Sequence, residues 1–172
     1  MKNFIPVVFV SLFVLLLGSC LKKLDFPIQP QLEYIGFTQF DSIESSGLIG
    51  FVNLKFTDGD GNVGLDSVLD SSGKFAPDSA FENNLFVSIF RKENGEYFPV
   101  PVAEDPNVRI APRLSDEDDQ PIEGDIDVGA FIPPRSNTDT AREVTIRWEI
   151  YLVDRDLNQS NLIVTPEIVF DR

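Results

Sequence analysis

Past its first thirty residues, the chain alternates apolar and polar positions with a period of two. Leu48, Gly50, Val52, Leu54 and Phe56 alternate with Ile49, Phe51, Asn53 and Lys55, and Leu85, Val87 and Ile89 alternate with Phe86, Ser88 and Phe90. The clearest run is Val144 to Leu152, with Val144, Ile146, Trp148, Ile150 and Leu152 on one face and Thr145, Arg147, Glu149 and Tyr151 on the other. Such alternation predicts strands buried on one face and solvated on the other. Asn94-Gly95 sits between two apolar runs and predicts a tight hairpin, because both residues tolerate positive φ. Further strands are expected over Tyr34 to Phe40, Tyr97 to Val102, Val108 to Ile110, Ile122 to Val128 and Ile163 to Phe170. No window of eleven or more residues beyond the N-terminal segment has a 3.6-residue period. The expectation is an all-β antiparallel sandwich of about seven or eight short strands over residues 32–172.

The N-terminus has a different pattern. Lys2 precedes an apolar run from Phe4 to Leu17 broken only by Pro6 and Ser11, and Gly18-Ser19 lead into Cys20. Charge, apolar run and small residues in that order make a secretory signal. The run of about 14 residues is short for a bilayer-spanning helix, which takes about 20. Leu17-Gly18-Ser19-Cys20 resembles the lipobox of bacterial lipoproteins, which implies removal of residues 1–19 and acylation of Cys20. The cysteine count fits, since the chain's single Cys has no internal disulfide partner. Two or three acyl chains, each held by about 0.8 kcal/mol per buried methylene, would anchor the protein to a membrane. Residues 20–31 then read as the lipidated cysteine and an extended tether, with Pro27, Pro30, Lys22 and Lys23 and no regular apolar period. In polyproline II geometry that tether would hold the domain about 30 Å from the bilayer. Leu21, where inner-membrane lipoproteins of well-studied Gram-negative bacteria carry Asp, points to the outer membrane. Lys22-Lys23, in place of the acidic patch of surface-exported lipoproteins, weighs toward its periplasmic leaflet.

Charge and composition narrow the chemistry. The signal contains one Lys and no acid, so the mature chain has 153 residues and formal charge −15. That is one domain's length, and its acidity argues against nucleic acid or anionic headgroups as ligands. With no His in the chain and the one Cys assigned to lipid, Ser-His-Asp and Cys-His catalysis are excluded, as are zinc sites built on imidazole or thiolate. A carboxylate-only hydrolase or a Ser-Lys pair are the catalytic classes that remain, and a non-enzyme is expected.

Two Asp-rich segments stand out. In Phe56-Thr-Asp58-Gly-Asp60-Gly-Asn62-Val-Gly64-Leu-Asp66, oxygen-bearing side chains recur at every second position with glycines between them. Asp58, Asp60, Asn62 and Asp66 are candidate ligands for calcium, because a glycine-rich backbone can turn alternate oxygens onto one hard cation. The segment is not an EF-hand: counted from Asp58, that loop needs Gly at 63 and Glu at 69 and meets Val63 and Leu69. A plain structural turn is the competing reading, since Asp and Gly are also ordinary turn residues. The second segment, Val153-Asp154-Arg-Asp156-Leu-Asn158-Gln-Ser160, resembles the turn between the last two strands of immunoglobulin-like and fibronectin III-like modules. By that resemblance Asp154, Asn158 and Ser160 bond the loop to itself, with Leu157 where Gly is usual; metal binding is the alternative reading of this segment. The acidic run Asp116-Glu-Asp-Asp119 reads as a solvated loop, with docking of a basic partner as the alternative.

Taken together, the lipobox, Phe56 to Leu65, Arg109-Ile-Ala-Pro-Arg113-Leu, Pro121 to Ile126, and Val153 to Asn161 followed by Thr165-Pro-Glu-Ile168 resemble a family of small outer-membrane lipoproteins of the Bacteroidota. The resemblance implies an immunoglobulin-like sandwich anchored in the outer membrane. It also implies an accessory role beside an outer-membrane protein partner, such as β-barrel assembly, secretion or uptake machinery. A glycan- or ligand-binding lipoprotein is the alternative; Phe86, Phe90, Tyr97 and Tyr151 are its candidate contact residues.

Overall fold

A computed structural model describes residues 24–40, 48–101, 105–113, 120–131 and 143–171. The signal, Cys20 and the acidic run at 116–119 lie outside the described residues. Among the described residues eight strands follow in order: β1 (Gln31–Gln39), β2 (Leu48–Asp58), β3 (Leu85–Glu93), β4 (Glu96–Pro99), β5 (Ile122–Phe131), β6 (Glu143–Leu152), β7 (Ile163–Val164) and β8 (Ile168–Asp171), with one 3-10 turn at Gly73–Phe75. All strand pairs are antiparallel. They form a three-stranded sheet, β1-β2-β5, and a five-stranded sheet, β4-β3-β6-β7, in which β8 also pairs with β6. Three strands facing an opposite sheet built around β3 and β6 make the expected all-β antiparallel sandwich.

The period-two pattern accounts for the core. Val52 and Leu54 of β2, Val128 and Ala130 of β5, Val87 and Ile89 of β3, and Val144 through Leu152 of β6 at alternate positions are buried between the sheets. Trp148 is fully buried, and the ring of Phe37 from β1 stacks on it at 5.8 Å across the two layers. At the β3–β4 hairpin, Asn94 and Gly95 both have positive φ, 51° and 89°, as a two-residue turn of the primed type requires.

Two expected strands take a different form. Ile163 to Phe170 is not continuous: β7 and β8 both lie along β6, separated at Thr165–Glu167. Pro166 has no N–H to donate to a ladder, and the Thr165 hydroxyl accepts the Trp148 N–H (3.0 Å) in the place of a backbone carbonyl. Val108 to Ile110 makes a single bridge, Val108 to Leu85, because its other backbone groups bond loops: Asn84 Oδ1 accepts the Ile110 N–H and the Ile110 carbonyl accepts the Leu65 N–H, both at 2.8 Å.

Strand direction determines what meets at each end of the sandwich. The end of β2 lies beside the start of β1 and the start of β5, and the end of β6 lies beside the start of β3. Asn161 joins the sheets at this end: its side chain accepts from the Leu32 N–H (2.8 Å) and donates to the Leu32 carbonyl (2.9 Å). The tether segment, the Asp58 loop and the Asp154 turn therefore share one pole.

Candidate metal centre at the entry pole

Asp58 is the last residue of β2, and the chain then turns away through Gly59, Asp60, Gly61 and Asn62. Neither glycine has room for a side chain: a Cβ on Gly59 would lie 2.4 Å from the Phe26 carbonyl, and one on Gly61, at φ 70°, would lie 2.1 Å from the Gln120 carbonyl. Gly59 N–H also donates to the Pro27 carbonyl at 2.8 Å. The loop is thus pressed between the incoming tether segment and the segment leading into β5, and its acidic side chains turn inward.

Asp58 and Asp154 are fully buried, and Asp58, Asp60 and Asp154 each offer a carboxylate oxygen within 4.8 Å of the others. Both oxygens of Asp58, Oδ1 of Asp60 and Oδ1 of Asn62 are buried without a hydrogen-bond partner. The remaining polar atoms of these side chains are engaged. Asn62 Nδ2 donates to Asp60 Oδ2 and to Asp156 Oδ2, both at 3.1 Å. Asp154 Oδ1 accepts the N–H groups of Asp156 and Asn158 at 2.8 Å, and its Oδ2 accepts Asn158 Nδ2 at 2.7 Å. One lone pair of Asp154 Oδ2 is left over. Burial pushes the Asp58 carboxyl up to about 7; the negative charge and close approach of the Asp60 carboxyl add to the shift, the nearby Asn62 N–H offsets part of it, and the charge of Asp154 adds a smaller share. Ordinary buried polar atoms are hydrogen-bonded because leaving one unmade costs about 1–3 kcal/mol. Unpartnered buried acceptor oxygens on Asp58, Asp60 and Asn62, with the Asp58, Asp60 and Asp154 carboxylates gathered within 4.8 Å, constitute a donor set for a hard cation.

Of the four ligands expected from the sequence, Asp58, Asp60 and Asn62 converge and Asp66 does not. Asp66 opens the following turn, where its Oδ1 accepts the N–H groups of Val68 (2.7 Å) and Leu69 (2.8 Å). Those N–H groups, Leu69 foremost, hold its carboxyl below the usual range. Its place is taken by Asp154, from the segment read first as a structural turn with metal binding as the alternative. That segment also bonds to itself: Ser160 Oγ accepts the Leu152 N–H at 2.9 Å, and Leu157 takes the glycine-like φ of 68°. That Asp154 joins this loop was legible only through topology, since Asn62 and Asp156, 94 positions apart, meet once the ends of β2 and β6 are brought to the same pole.

Two further residues hold the loops around this pole. Arg109, half-buried, donates to the carbonyls of Phe75, Glu82, Asp66 and Asp70. Asn84, fully buried, donates to the Val63 carbonyl and accepts from Ile110 N–H.

The aromatic residues considered for ligand contact lie elsewhere, on the outer face of the five-stranded sheet. Phe86 of β3 stacks on Tyr151 of β6 at 4.8 Å, and Phe81 meets Phe86 edge-on at 6.2 Å. The Arg147 guanidinium lies 3.7 Å from the Tyr97 ring centre and 5.5 Å from that of Phe90. Glu167 accepts from Lys92 (2.7 Å) and from the Tyr97 hydroxyl (2.5 Å), so its carboxyl is held below the usual range by those two donors.

No protein-family model matches the chain, and neither a curated protein nor a solved structure matches it.

Proposed function

We propose that the protein is a non-catalytic, lipid-anchored interaction subunit of an outer-membrane protein complex, in a family of small Bacteroidota lipoproteins. The carrying observation is the outer face of the five-stranded sheet. Phe86, Phe90, Tyr97, Tyr151 and Arg147 are stacked there beside Val164 and Val169, which are 49% and 54% exposed. Tyr, Phe and Arg are the residues enriched where proteins meet, and side chains already held in place lose less conformational freedom on binding. The outer face of the other sheet contrasts with it: Glu33, Glu123, Asp125 and Asp127 surround Lys55, whose Nζ lies 2.8 Å from Glu123.

A glycan reading is favoured less, because a sugar ring stacks on an open aromatic face and Arg147 lies over both Tyr97 and Phe90. The carboxylate cluster supports a non-catalytic reading, since Asp58 and Asp154 are closed from solvent and an organic substrate would not reach them.

A photo-crosslinking residue at Val169, in cells making the intact lipoprotein, tests the reading. The expected outcome is a discrete adduct with an outer-membrane protein that is absent when the crosslinker is at Asp125, and that weakens when Tyr97 and Arg147 are both Ala. No adduct from Val169, or the same adducts from both faces, would overturn it.

A further inference from the structure

We infer that Asp58, Asp60, Asn62 and Asp154 form a calcium site that clamps the incoming tether segment to the folded domain. The donor set is all oxygen, which selects a hard cation. Asp58 Oδ1 and Oδ2, Asp60 Oδ1 and Asn62 Oδ1 are buried and unpartnered, and Asp154 Oδ2 has a lone pair free. One carboxylate oxygen from each of Asp58, Asp60 and Asp154 lies within 4.8 Å of the others, and with the second Asp58 oxygen and Asn62 Oδ1 available nearby the set can approach the six to eight oxygens that calcium takes in irregular geometry. Magnesium keeps several waters and usually binds through one or two carboxylates. Three carboxylates supply a charge of −3, more than balancing the ion. In its absence the same charges repel one another inside a closed pole. Asp156 and Asn158, which orient Asn62 and Asp154, form the outer layer that fixes ligand direction.

The clamp follows from the backbone. Gly59, between two ligands, donates to the Pro27 carbonyl, and Gln29 Nε2 donates to the Gln159 carbonyl just past the Asp154 turn. An ion that joins the Asp58 loop to that turn therefore also fixes the two surfaces on which residues 26–29 rest.

The test uses the full chain, processed by its host and solubilised in detergent, stripped of metal and titrated with calcium chloride. Calorimetry is expected to show one ion bound per chain, and the melting temperature to rise with calcium in the saturable way that native-state binding requires. Magnesium at equal concentration is expected to do far less. Asp60→Asn keeps shape and removes one charge, and should weaken calcium by about tenfold or more, in the range seen when metal-site partners are altered. Asp66→Asn should leave the affinity unchanged. Hydrogen exchange at the Gly59 N–H should slow when calcium is added. A wild-type protein that is folded yet gives neither heat nor a melting shift at millimolar calcium would overturn the site. An equal response to magnesium would overturn its assignment to calcium, and unchanged Gly59 exchange on calcium binding would overturn the clamp.

Discussion

Trp148 carries the largest fully buried side chain, and its ring is covered by Phe37 on the opposite sheet. Trp148→Ala should therefore destabilise the domain by about 3–5 kcal/mol through lost transfer energy and an unfilled cavity; the midpoint of chemical denaturation measures it. Leu157 makes the opposite case. A Leu at φ 68° pays roughly 1–2 kcal/mol for Cβ crowding, and its side chain is 41% exposed, so Leu157→Gly should raise the melting temperature, partly offset by the greater freedom of Gly in the unfolded chain. Asp58 supplies a pH dependence. In calcium-free protein its carboxyl stands at about 7, above the value near 4 of an unfolded chain. The native state thus binds the proton more tightly. This contribution to stability is fully present below about pH 4 and is lost as the pH rises through about 7. Added calcium should restore the loss at pH 8, where the carboxylate is ionised, and change little at pH 5; denaturation midpoints at the two pH values, with and without the ion, check both.

Among the elements, β6 and the β3–β4 hairpin were fully legible because local pattern and tertiary context agree: strict alternation at Val144 to Leu152, and Asn94-Gly95 where both φ values are positive. The interruption at Thr165-Pro166-Glu167 could be read from the proline alone, whereas the loss of ladder pairing after Val108 could not. It depends on Asn84 and Leu65, more than twenty and forty residues away, taking the backbone groups of Ile110. The same limit applied to the candidate site. Three ligands within five residues could be seen in one loop, but Asp154 belongs to a distant strand end, and Asp66 was lost to a local turn whose N–H groups compete for its carboxylate. The glycine pattern of the loop has a consequence of its own. Gly61→Ala would force a Cβ to within 2.1 Å of the Gln120 carbonyl at a positive φ, so the loop must shift. The expected result is a lower melting temperature together with a weaker response to calcium, whereas Gly73→Ala, where a Cβ meets nothing within 4 Å but φ is also positive at 66°, should cost only the backbone strain and leave the calcium response intact.

At the scale of the whole molecule, the tether is shorter than its sequence suggests. Gly59 N–H bonds the Pro27 carbonyl, a Cβ on Gly59 would collide with the Phe26 carbonyl, and Pro30 is buried. The chain is thus held against the domain from Phe26 onward. Between Cys20 and that point lie five residues, Leu21 to Asp25. At roughly 3 Å per residue they reach about 15 Å, half the distance expected for a fully extended tether. If Cys20 carries the acyl chains, the entry pole lies close to the headgroups and the strands rise away from them, which sets how far the aromatic face of the five-stranded sheet can be from a membrane-embedded partner. Two substitutions separate anchor from domain. Cys20→Ser should abolish acylation and leave the precursor uncleaved, since the lipobox peptidase acts on the modified cysteine; mass spectrometry of the membrane and soluble fractions shows it, and a free thiol on the wild-type mature chain would contradict the assignment. Inserting ten Gly/Ser residues between Lys23 and Leu24 should leave acylation and melting temperature unchanged, because among the described residues no backbone hydrogen bond to the domain precedes Pro27, while lowering the yield of the Val169 adduct, because a long flexible tether dilutes the domain over a larger volume.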